Sequence, residues 1–188
     1  MKGSRGLWAV SRRVVSYNKL KWALFSFQPY KSPGMDGIMP IMLKQGFELL
    51  AGKLLMLLQA SLALCYIPVS WRHTRVVFIP KPGKSLTQAK SLRPISLTSF
   101  ILKILEKIID KHTRGGVMVE KPLHQNQYAY RAGMSTKTAL FQVVKSLEKC
   151  LEHKEIALGA FLDIEGAFEN TSFKTIITAA KEHGLEET

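Results

Sequence analysis

The chain has 188 residues, 46% of them hydrophobic and 22% charged, which excludes a fibrous or disordered chain and leaves one globular domain or one and a half. Lysine and arginine number 27 against 14 acidic residues, a formal charge of +13 with a pI near 9.9. Such an excess favours a polyanionic partner, nucleic acid or an anionic membrane surface.

The positive charge is unevenly placed. No acidic residue precedes Asp36, and none lies between Glu48 and Glu106. That second gap holds Lys53, Arg72, Arg75, Lys81, Lys84, Lys90, Arg93 and Lys103, a candidate phosphate-facing surface.

In chain order, residues 1–17 are basic and weakly patterned and are expected to be poorly ordered. Asn18 is placed to cap a short helix, "KLKWALFSF". The proline and glycine of "QPYKSPGMDGIMP" mark a loop. Residues 41–66 have helical apolar spacing. The overlapping run "LLMLLQASLALCYIPV" (54–69) is the one membrane candidate. It carries Gln59 and Ser61 and meets Pro68, short of the roughly 20 apolar residues a span needs, so it reads as a core helix.

"TRVVFI" (74–79) is β-branched, stops at Pro80 and predicts a strand, followed by a basic loop or hairpin tip. "LTSFILKILEKIID" places Phe100, Ile101, Ile104, Leu105 and Ile108 on one helical stripe, and 135–152 is helical too. "IALGAFLDI" predicts a buried strand, and "SFKTIITAAKEHG" a helix that Gly184 ends. Helices and strands mix without regular alternation, which predicts an α+β fold.

Several chemistries are excluded. "PGKS" (82–85) lacks the P-loop's first glycine, because Phe78 stands there. His73, His112, His124, His153 and His183 lack zinc-ligand spacing, and there is no G-x-S-x-G elbow. Cys65 and Cys150 lack CxxC spacing and read as buried thiols of a reducing compartment. Arg12 and Arg13 interrupt any secretory signal. Asp163, at the end of an apolar run, is costly to bury without a cation. It suits either a hard divalent ion such as Mg²⁺ or the cap of the following turn, and spacing leaves both open.

Five blocks in order, "KSPGMDGIMP", "WRHTRVVFIPKPGK", "SLRPISLTSFILKILEKII", "HQNQYAYRAGMSTKTAL" and "FLDIEGAFEN", resemble the reverse transcriptase of non-LTR (LINE-type) retrotransposons, in particular jockey- and R1-like elements of arthropods. The resemblance covers roughly residues 20–188. It implies right-hand polymerase fingers over about 18–150 and the start of a palm over about 151–188. The activity implied is RNA-directed DNA polymerisation with two Mg²⁺ ions, an RNA template, a DNA primer and dNTPs, and no membrane.

Residue by residue, the resemblance implies that Asp163 and the Ile164 carbonyl bind metal, and that Asp163 is the catalytic carboxylate. Phe168 carries the incoming sugar and excludes ribonucleotides by bulk. Lys81 and Arg93 clamp the triphosphate, with Lys84 as a second lysine in the same loop. Lys31, Gly34, Asp36 and Gly37 lie near the template, and Gln127, Arg131 and Gly133 lie against template and nucleotide. Glu169 stands where the family commonly has Asp.

Two-metal catalysis needs a second carboxylate, which the family supplies from an [FY]-x-D-D turn. The three aspartates here are Asp36, Asp110 and Asp163, with no D-D pair. The expectation is therefore a partial domain, cut before that motif and without the thumb, inactive alone. Beside it stand a non-catalytic nucleic-acid-binding remnant, a chain that does not fold stably, and a group II intron type of palm polymerase. No targeting segment decides between cytoplasm and nucleus.

Overall fold

The computed structural model describes residues 2–85, 88–164, 166–167 and 170–185, without the side chains of 2–5. The chain divides into two compact units, Met1–Thr113 and Arg114–Thr188.

The first unit opens with α1 (Lys2–Val14), where a frayed basic arm was expected. Its polar face carries Arg12 and Arg13, while Ser11, Val14 and Val15 are buried against the core, and α1 packs on α4. The apolar stripe outweighs the local charge once α4 is present to receive it. Lys19 Nζ donates to the carbonyls of Arg13 (3.0 Å) and Val14 (3.1 Å) at the α1 C-terminus, where a cation offsets the helix dipole.

Helix α2 (Tyr17–Phe25) is capped by Ser16, whose hydroxyl accepts from the Lys19 amide, so the cap lies two residues before Asn18. The predicted 41–66 helix is two helices, α3 (Pro40–Gln45) and α4 (Phe47–Ala63), meeting at Gly46. Helix α4 ends in a Schellman turn: Tyr66 N–H donates to Ser61 O and Cys65 N–H to Leu62 O, with Cys65 at φ 48°. Cys65 is exposed and Cys150 half-buried, so neither is the buried thiol expected. Among the described residues no helix is long and apolar enough to cross a membrane.

After α5 (Val69–Arg72), strands β1 (Arg75–Pro80) and β2 (Leu92–Leu97) form an antiparallel hairpin. β1 includes Pro80, and β2 extends through "LRPISL", which sequence left as loop. Both prolines sit in a two-stranded sheet, where every strand is an edge and a missing N–H costs no ladder bond. Helix α6 (Phe100–Gly115) follows, with the Ser99 hydroxyl accepting from the Ile101 amide. Its predicted stripe, Phe100, Ile101, Ile104, Leu105 and Ile108, is buried with Leu20, Leu24, Phe47, Leu54, Leu58 and Trp71.

The second unit holds α7 (Val117–Glu120), α8 (Thr136–Glu152) and α9 (Phe173–Glu182). A capping box of Ser135 and Thr138 starts α8, and Ser172 caps α9. Gly184 (φ 88°) closes α9 in a Schellman turn, as predicted. None of the three helices buries a residue.

Residues 156–164 do not form the buried strand that was predicted. They carry no strand, and Ile156, Leu158, Phe161 and Leu162 are at least 95% exposed. β-structure is collective: backbone groups pair only across a ladder, and the described sheet is β1–β2 alone.

Candidate nucleotide and nucleic-acid site

The β1–β2 register pairs Ile79 with Arg93 and Pro80 with Leu92, and the Lys81 amide continues the ladder with a 2.8 Å bond to Ser91 O. Side chains alternate along a strand, so Lys81, two residues beyond Ile79, shares a face with Arg93. Lys81 Nζ also donates to the Lys90 carbonyl at 2.7 Å, which ties it to the 3-10 turn Ala89–Ser91 that leads into β2. Lys81–Lys84 form a turn closed by Lys84 N–H to Lys81 O (3.3 Å), with Pro82 second and Gly83 third at φ 70°. This is the type II pattern, in which glycine takes the positive φ. Lys84 and Arg93 are exposed and Lys81 half-buried. The hairpin therefore gathers Lys81, Lys84 and Arg93 at one end.

Lys31, Gly34 and Asp36 lie toward the opposite end. Gly34 is pressed onto the β2–α6 junction: a Cβ there would stand 2.8 Å from Ser99 N and from Thr98 C. Asp36 Oδ1 accepts from the Ile38 amide at 3.1 Å, while its Oδ2 is buried without a hydrogen-bond partner. Gly37 takes φ 69° in the same turn. Lys31, exposed, borders a hollow of about 370 Å³ with Phe27, Ser32, Leu97, Phe100 and Lys103.

In the second unit Arg131 organises its own loop. Its Nη1 donates to the carbonyls of His124 (3.0 Å), Gln125 (2.7 Å) and Gln127 (3.3 Å). Gln127 Nε2 donates to Ala129 O at 3.3 Å, and Gly133 (φ 77°) sits in the turn closed by Met134 N–H to Arg131 O.

Asp163 and Ile164 are exposed. Phe168 and Glu169 lie outside the described residues. A carboxylate and an adjacent backbone carbonyl are hard oxygen donors of the kind Mg²⁺ takes, alongside water and substrate phosphate. Among the described residues no three His, Cys, Asp or Glu side chains gather as a metal-binding group. Asp163 and Ile164 thus fit part of such an ion's shell.

Sequence reading passed over Lys107 and Lys111. With Lys103 they recur every fourth residue on α6; Lys107 and Lys111 stand over rings of α2 and its following loop, and Lys103 over Phe100 of α6 itself. The signal was present as i, i+4, i+8 spacing beside the apolar stripe.

Two kinds of likeness to known proteins bear on this arrangement. Residues 79–188 match the family model described as reverse transcriptase (RNA-dependent DNA polymerase). The RNA-directed DNA polymerase from mobile element jockey of Drosophila melanogaster is 30% identical over 172 residues, covering 89% of this chain and 18% of that protein. Its counterpart in Drosophila funebris is 28% identical over 171 residues, again 89% of this chain and 18% of the relative. A retrovirus-related Pol polyprotein from type-1 retrotransposable element R1 of Bradysia coprophila is 29% identical over 148 residues, 78% of this chain and 14% of that protein. The chain spans less than a fifth of the length of these curated relatives. The family match begins inside β1 and carries the basic hairpin, the 124–134 loop and Asp163 together, and the chain belongs to the reverse transcriptase family, as part of a non-LTR retrotransposon enzyme.

Proposed function

We propose that this chain supplies the fingers and the first part of the palm of an RNA-directed DNA polymerase that copies a retrotransposon RNA from a DNA primer. The observation that carries the reading is the hairpin register, extended by the Lys81–Ser91 ladder bond, which sets Lys81 on the face of Arg93, with Lys84 in the adjoining turn. The guanidinium offers a bidentate fork to a triphosphate. The Lys81 ammonium has three donors and spends one on Lys90 O, which leaves two for phosphate oxygen from a tethered position.

In this reading Asp163 and the Ile164 carbonyl contribute to holding Mg²⁺, two ions in the complete enzyme. When bound, Mg²⁺ neutralises charge on the reacting phosphates. Phe168 bears on the sugar, and its bulk rejects a 2′-hydroxyl. In the first unit Lys31, Gly34 and Asp36 serve the template; in the second, Gln127, Arg131 and Gly133 do, with Arg131 acting through the loop whose carbonyls it gathers. The parent reaction joins a primer 3′-oxygen to the α-phosphate of a dNTP and releases pyrophosphate. The chain's three aspartates include no D-D pair, so the 188 residues alone bind but do not polymerise.

The test is titration of a fluorescent dNTP into the purified chain. Arg93→Ala and Lys81→Ala should each weaken binding on the order of tenfold, about 1.4 kcal/mol. Binding that both variants leave unchanged would overturn the assignment. Primer extension by the chain, abolished by Asp163→Ala, would overturn its inactivity alone. A second reading, a non-catalytic nucleic-acid-binding segment, is favoured by the acid-free stretch between Glu48 and Glu106 within a +13 chain. It predicts RNA binding with the same affinity in Asp163→Ala.

A further inference from the structure

Helix α6 carries Lys103, Lys107 and Lys111 at four-residue intervals, which a helix spaces by roughly 6 Å each, about 12 Å in all. Each ammonium is set by an aromatic ring. Lys103 Nζ lies 4.5 Å from the Phe100 centroid, and Lys107 Nζ lies 5.4 Å from Trp22 and 5.1 Å from Phe27. Lys111 Nζ lies 3.8 Å from Trp22. Cation–π contact restricts three long side chains without neutralising them. Glu106 and Asp110 share the helix, and Glu106 lies in the field of Lys103.

The positive line continues at both ends. Beyond Lys111 the positive groups are Lys19 and Arg13, close enough to His112 that, after partial burial, they hold its imidazole below the usual range and so toward the neutral form. Beyond Lys103 lies the hollow of about 370 Å³, walled by Phe27, Phe100 and Leu97, with Lys31 and Lys103 at its rim. Phe27 and Phe100 meet edge-on there, at 5.5 Å and 77°.

We propose that this α6 ridge is a docking surface for single-stranded RNA. Lys103, Lys107 and Lys111 track successive phosphates, and the Phe27/Phe100 hollow receives one unpaired base. A row of cations ending at an apolar aromatic hollow is the combination that single strands use and duplexes, whose bases are stacked inside, do not. The choice of RNA over DNA rests on the polymerase reading above; the three ridge lysines do not, and they lie outside the Lys81/Arg93 hairpin, from which Leu97 borders the hollow.

The experiment is fluorescence-anisotropy binding of (rU)12 to the full chain across salt concentrations, with (dT)12, an RNA duplex and anionic lipid vesicles as competitors. Replacing Lys103, Lys107 and Lys111 together by Gln should lower the log–log salt slope by about 2, at ~0.7 per strand phosphate, and weaken binding more than tenfold at low salt. Triphosphate binding should persist, so failure of the ridge and failure of the hairpin read out separately. Replacing Lys137, Lys145 and Lys149 of α8 by Gln should leave RNA affinity within twofold. Amine acylation of the unmodified chain gives an independent reading, with (rU)12 protecting the three ridge lysines even if the triple variant fails to fold. An unchanged slope, absent protection, or equal competition by (dT)12, duplex or vesicles would overturn the proposal.

Discussion

Gly34 and Ser99 are in backbone contact: a β-carbon at position 34 would stand 2.8 Å from the Ser99 amide nitrogen. The loop carrying Lys31 and Asp36 is thereby seated on the start of α6, beside the hollow. Gly34→Ala should destabilise the first unit by about 1–3 kcal/mol, because the obstructing atoms are backbone and cannot swing away. A thermal melt by circular dichroism measures it. An unchanged melting temperature would mean the contact is dispensable.

Ile104 is fully buried on α6, whereas Leu147 on α8 is 44% exposed. Ile104→Ala should cost about 2–5 kcal/mol through lost burial and an unfilled cavity. Leu147→Ala should stay within ~0.5 kcal/mol. Chemical denaturation of the two variants makes the comparison, and equal costs would contradict the different burial.

Cys65 and Lys154 both take the left-handed position of a Schellman turn, at φ 48° and 56°, which glycine at 184 fills without a β-carbon. Cys65→Gly and Lys154→Gly should each stabilise by up to ~1 kcal/mol, offset by glycine's larger unfolded-state entropy. Denaturation midpoints should rise in both variants, and unchanged or lower midpoints would contradict the strain at these positions.

His112 has its pKa depressed below 6.5, by burial first and then by Lys19 and Arg13. A depressed folded pKa means the folded state binds fewer protons than the unfolded one. The stabilisation is therefore complete above pH 6.5 and is lost as pH falls below that value through the folded pKa. His112→Gln should flatten the stability profile of the first unit from pH 6.5 downward and leave the profile above it parallel. Urea midpoints at half-unit pH steps measure this.

In the second unit α8 exposes Leu140, Phe141 and Leu151, and α9 exposes Phe173 and Ile176. Helices without a buried face open at low free energy. Hydrogen exchange should show slow amides in α4 and α6 and near-complete early exchange in α8, α9 and 156–164. Equal protection in the two units would overturn this.

Sequence legibility followed the range of the interactions. The α6 stripe could be read because its five apolar residues recur at helical spacing and are all buried. Gly184 and the 28–39 loop could be read because turn chemistry is local. The cap of α2 was placed at Asn18 rather than Ser16, an ambiguity of neighbouring polar residues that backbone geometry resolves. Lys81 and Arg93 were identified through family resemblance, yet their shared face comes from a register that no residue count supplies.

The sequence by itself determined the family, the uneven basic charge and the helices whose periodicity is strong, because each is written in residue identity and spacing over a few turns. Only the tertiary structure decided the rest. It ordered α1 against α4, broke 41–66 at Gly46, and turned "LRPISL" into the partner of β1. It also left "IALGAFLDI" exposed, since an apolar run becomes a buried strand only where another strand and a covering face meet it. Lys107 and Lys111 of α6 found their rings for the same reason: Trp22 and Phe27 arrive from α2 and the loop after it, some 80 residues earlier in the chain.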